Sequence, residues 1–152
     1  MRAENAPVIF KPHPAGLRTG NLFNERDKRM VISRIISLSP DQKPRWGKMN
    51  LPQMLDHCAL ALESALVAGA ENISTQPCAE LEYVSKLWRC STLGYRIDEM
   101  ERKMTALVNF VKHFDRANMS KGAYPFLGDM IYKEFGEIHF LHLDHHLNQF
   151  GK

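Results

Sequence analysis

The sequence predicts an all-α fold, a bundle of four helices. Two observations carry that prediction. Four stretches of about 15–20 residues repeat apolar side chains at helical 3/4 spacing. The segments between them hold almost no alternating β-branched run, as a sheet would require. The length of 152 residues agrees, since one domain takes roughly 150 and a chain of that size buries about two-thirds of its unfolded surface. Residues 1–20, with Pro7, Pro12, Pro14, Gly16 and Gly20, lack periodicity and read as an extended arm. Residues 21–152 are expected to form the single bundle domain.

The first helix opens near Asn24, a residue type suited to the N-cap, with Asp27 near the positive end of the helix dipole. Met30, Val31, Ile35, Ile36 and Leu38 follow a helical stripe, and Ser39-Pro40-Asp41 ends it. The second helix starts at Asn50, with Pro52 in the first turn and Gln53 at the capping-box position. Leu51, Met54, Leu55, Cys58, Leu62, Ala65 and Leu66 form its apolar face, and Gly69 is placed to stop it. Between residues 71 and 95 periodicity is weak, and Ala79 to Trp88 is a candidate short helix. The third long helix is expected from about Asp98 to Ala117, on Met100, Met104, Leu107, Val108, Val111 and Phe114. The fourth is expected from about Asp129 to Gln149, with Phe135, Ile138, Leu141, His142, His145, His146 and Gln149 on one broad face and Gly151 as terminator.

Composition excludes several function classes. Twenty basic and seventeen acidic residues give +3, too small an excess to point to nucleic acid or an anionic membrane as a partner. No stretch approaches the ~20 apolar residues of a membrane span, and the N-terminus lacks the apolar core of a secretory signal. Three cysteines (Cys58, Cys78, Cys90) without CxxC spacing fit reduced thiols. The expectation is a cytoplasmic protein.

Histidine is the unusual component: of seven, His139, His142, His145 and His146 fall near the C-terminus. His142 and His146 are four residues apart, so a helix sets both imidazoles on one face, able to grip one ion. A third ligand is needed, and His57 is the natural candidate, flanked at helical spacing by Met54, Ala61 and Ala65. An imidazole on a nearly buried face must have a partner, since an unpaired buried polar group costs about 1–3 kcal/mol. The plainer alternatives are a satisfied core histidine for His57 and a solvated polar face for the C-terminal cluster. His145 points about 100° away from His146 and is expected at the surface or behind a ligand. His139 is expected at the rim, with a fourth-ligand role as the alternative. His13 and His113 have no partner pattern. Gln149, near one turn beyond His146, is either a support for it or a helix-end surface residue. Trp46 is expected to pack over the start of the second helix. Asp56 and Asp144 are expected to be solvated, and Cys58 to pack in the core.

These residues resemble a known family. Trp46-Gly47-Lys48-Met49 followed by Gln53-Met54-Leu55-Asp56-His57-Cys58 looks like the entry to the second helix of DinB-like (DinB/YfiT-type) proteins. It is closest to an uncharacterised branch of that superfamily. The tail His142-Leu143-Asp144-His145-His146-Leu147-Asn148-Gln149-Phe150-Gly151 is similar to that branch's H-x-x-H-H-x-x-Q-F-G ending, and Tyr124-Pro125-Phe126-Leu127-Gly128 fits its lead into the last helix. Leu147-Asn148 departs from the Arg-Gly of many DinB-like tails, and residues 71–97 match no pattern. The resemblance implies an up-down four-helix bundle holding a divalent metal on His57, His142 and His146.

Three neutral imidazoles suit Zn, Ni or Fe and leave the ion an open position. Relatives in that superfamily include thiol transferases. The resemblance therefore implies a metal-dependent thiol S-transferase or hydrolase acting on a small molecule, with a low-molecular-weight thiol as one substrate class. No nucleophile motif stands out in the chain itself. The alternative in a different class is a non-catalytic helical binding module with structural histidines. A homodimer formed through bundle faces stays open, since no sequence feature decides it.

Overall fold

The computed structural model describes residues 19–66, 94–115 and 130–152. Among them are four helices and no strand: α1 (Glu25–Ile36), α2 (Leu51–Ala65), α3 (Gly94–Lys112) and α4 (Met130–Gln149). This is the all-α four-helix arrangement that the periodicity predicts. The expected arm, except residues 19 and 20, lies outside the described residues, as do His13, Cys78, Cys90, Gly69, the candidate helix at 79–88 and the segment 124–128.

Both predicted N-caps are in place. The Asn24 side chain accepts hydrogen bonds from the backbone N–H groups of Arg26 and Asp27 at 2.9 and 3.3 Å. That satisfies donors which the first turn of a helix otherwise leaves unpaired. Asn50 and Gln53 form a reciprocal capping box, each bond 2.9 Å long, with Pro52 in the first turn. The whole predicted apolar face of α2 is buried: Leu51, Met54, Leu55, Cys58, Leu62, Ala65 and Leu66.

The periodicity misplaces two features. α3 begins four residues before the expected Asp98 and ends at Lys112, not at Ala117. Phe114 is fully buried, as its spacing suggests, but it lies past the helix end. There its N–H turns to the Val111 carbonyl at 3.2 Å, and the His113 ring meets the Asn109 carbonyl at 2.8 Å. In α4 the expected face is met in part, with Phe135, His142, His146 and Gln149 buried. Ile138 is exposed, whereas Phe140, Leu143 and Leu147, assigned to no face, are buried.

The reason lies in the packing. Each of α1 and α2 packs against both α3 and α4, so consecutive helices α1 and α2 lie on one diagonal of the bundle and α3 and α4 on the other. α4 is therefore wedged between α1 and α2, and a helix covered on two sides shows no clean apolar stripe. Its early turns are also held by the chain ahead of α1. Leu22 donates to the Gly136 carbonyl at 3.0 Å, and the Asn21 side-chain amide donates to the Lys133 carbonyl at 3.0 Å.

Candidate metal centre

α4 carries two chemically distinct faces. On one, Asp144 is buried and meets Arg34 of α1, Nη1 to Oδ1, at 2.6 Å. Arg34 Nη2 also donates to Asn148 Oδ1 at 3.1 Å and to the Lys152 carbonyl at 3.0 Å, while Asn148 Nδ2 donates to Asp144 Oδ2 at 3.1 Å. His142 and His146 stand two residues to either side of Asp144, about 200° around the helix. With Asp144 anchored to α1, both imidazoles are presented to the opposite neighbour, α2, where His57 waits.

The three rings form a nearly equilateral triangle. Their centroids are 4.9 Å (His57–His142), 4.8 Å (His57–His146) and 4.7 Å (His142–His146) apart, each pair edge-to-face. One nitrogen from each ring lies within 4.8 Å of the others, and the Nε2 atoms of His57 and His142 are 2.9 Å apart. Nitrogens sharing one tetrahedral ion at Zn–N of about 2.0–2.1 Å stand roughly 3.3 Å apart, a spacing those two distances bracket. The donor set therefore fits a divalent ion of borderline softness.

Charge balance points the same way. Burial lowers the His142 pKa to about 3, helped by the neighbouring His146 and His57, and burial lowers that of His146 to about 4. At neutral pH both rings are uncharged, the form that ligates metals. His57 is exposed, contrary to the expectation that it sits on a nearly buried face. It forms the solvent side of the triangle, while His142 and His146 form the buried side.

The other candidates take varied places. His139 is not at the rim: it is buried edge-on to Phe135 (4.5 Å between centroids) and against Phe114 (5.1 Å). His145 is half-buried, its ring edge-on to Trp46 at 6.4 Å and to His146 at 5.0 Å. Asp144 is not solvated but ion-paired in the interior, whereas Asp56 is exposed and pairs with Lys103. Cys58 is buried, its sulfur 3.8 Å from that of Met54, and burial pushes its thiol pKa up, so it stays protonated. Gln149 is 6% exposed, with Oε1 3.0 Å from His146 Nδ1 and Nε2 donating to the Trp46 carbonyl at 2.9 Å.

Sequence reasoning missed Arg34. Its only signal is a cation placed among the apolar residues of a stripe.

A family model described as a protein of unknown function (DUF1569) matches residues 23–152, a span that includes all four helices. Comparison with curated proteins and with solved structures gives no match.

Proposed function

The chain belongs to the family described as a protein of unknown function (DUF1569), and from that premise we propose that it is a metal-dependent protein of DinB-like type, with His57, His142 and His146 holding a divalent ion. The observation that carries the reading is the convergence of three imidazoles from two helices, two of them kept neutral by burial. A divalent ion on three neutral imidazoles retains its charge and an open position, and so lowers the pKa of a bound water or thiol or polarises a carbonyl.

The chain's own residues limit the chemistry. His142 and His146 close the inner side, and the exposed His57 marks the side from which a small molecule arrives. Cys58, locked in the core as a thiol, supplies no nucleophile. The proposed reaction takes its nucleophile from a cosubstrate, a low-molecular-weight thiol or water, and is a thiol S-transfer or a hydrolysis.

Elemental analysis of tag-free protein tests the centre. Wild type is expected to carry close to one zinc, nickel or iron per chain and His57→Ala none; full occupancy in both would sink the assignment. A chelator should also lower the melting temperature, because an ion present at about 100 times its Kd stabilises the folded state by about 2.7 kcal/mol. Absence of any metal effect would instead favour a non-catalytic helical module. A screen of thiols against electrophilic acceptors, with His57→Ala as the blank, then separates an enzyme from a protein that only binds metal.

A further inference from the structure

The two motif segments at either end of the site interlock through one side chain. Gln149 donates Nε2–H to the Trp46 carbonyl at 2.9 Å and sets Oε1 3.0 Å from His146 Nδ1, while its own carbonyl accepts from Arg45 N–H at 2.7 Å. Gly47 has φ +83°, a conformation that side chains rarely adopt, and a Cβ there would run into the Gln149 amide nitrogen. Gly151 has φ +76°, and a Cβ there would stand 2.6 Å from Arg45 Nε. Both glycines therefore allow the segment before α2 to lie directly on the end of α4.

These contacts admit one assignment of hydrogens. A backbone carbonyl only accepts, so the end of the Gln149 amide at Trp46 is the NH2. The end at His146 is then the oxygen, which also only accepts. His146 Nδ1 must therefore carry the proton, and in the neutral ring Nε2 keeps its lone pair. We infer that Gln149 is a positioning residue: anchored by the Trp46 carbonyl, it fixes His146 as the Nδ1–H tautomer and reserves Nε2 for a metal ion. Such a partner fixes both ring orientation and ligand basicity, and its loss typically costs 10–100-fold in metal affinity. The inference rests on the metal-binding reading for its purpose, but the tautomer is a property of the metal-free protein.

Long-range 1H–15N NMR of the chelated, 15N-labelled full chain at pH 7.5 reads the tautomer directly. His146 is expected to show a protonated Nδ1 and a bare Nε2; a protonated Nε2 in wild type overturns the inference. Gln149→Leu is expected to admit Nε2–H and to weaken Zn2+ binding about 10–100-fold in chelator competition. Gly47→Ala, which presses on the amide from the loop side, is expected to shift the tautomer as Gln149→Leu does. A Gln149→Leu variant that keeps the pure Nδ1–H form and unchanged zinc affinity overturns the proposal. A wild-type Nδ1–H tautomer in a chain that takes up no zinc supports the positioning and sinks only the proposed metal-dependent function.

Discussion

At the scale of the residue, the site depends on polar side chains that the core can bury only in company. Arg34 and Asp144 are each under a tenth exposed and linked at 2.6 Å. Removing one partner strands a buried charge, which typically costs about 3–5 kcal/mol, whereas replacing both by apolar groups of similar volume is often neutral. Arg34→Met is therefore expected to lose about 3–5 kcal/mol in urea unfolding, and Arg34→Met with Asp144→Leu to regain most of it. A double variant as unstable as the single would show that the pair itself, not the stranded carboxylate, carries the energy. The His142–His146 pair was legible at this scale because four-residue spacing is a geometric statement, whereas His57 was reached only as a candidate on an apolar helix and through the family resemblance. The fates of His139 and Asp144 were not, because which polar group is buried depends on what packs against it.

At the scale of the element, local chemistry was read best where it is self-contained. Asn24 and Asn50 cap their helices as their side chains dictate, and neither bond set needs the rest of the fold. Asn50→Ala removes the capping box at the start of the helix that carries His57, and should cost about 1 kcal/mol as a lower urea midpoint with an unchanged slope. A loss well under that figure would mean that tertiary contacts alone hold the first turn. Reading failed where an element answers to its neighbours. α4, covered by α1 on one side and α2 on the other, has no single face for periodicity to find. α3 stops at Lys112, where the chain turns and carries Phe114 into the core past the helix end.

At the scale of the whole molecule, stability should fall in mild acid. Burial among aromatic rings lowers the His139 pKa from 6.5 to about 4. Between those values the unfolded chain holds more protons than the folded one, so acid favours unfolding. The full stability is present above pH 6.5 and is lost progressively down to about pH 4, by about 3 kcal/mol for this group alone. His142 and His146 act in the same direction. Urea titrations of chelated protein at about pH 7.5 and about pH 4.5 should show wild type losing more stability than His139→Leu. Equal losses would contradict the assignment.

The sequence by itself determined the helical class, both N-caps, the core face of α2 and the three histidines worth testing. The first three and the His142–His146 pair follow from interactions within a few residues or from the fixed pitch of a helix, and His57 joins them through the family resemblance. Only the tertiary structure decided that His142 and His146 meet His57, that His57 stands on the solvent side, and that Asp144 is buried. It also joined Gln149 to Trp46 across 103 positions. Those outcomes depend on how α4 is rotated between α1 and α2, a matter of contacts between residues far apart in the chain, Arg34 with Asp144 and Trp46 with Gln149 among them.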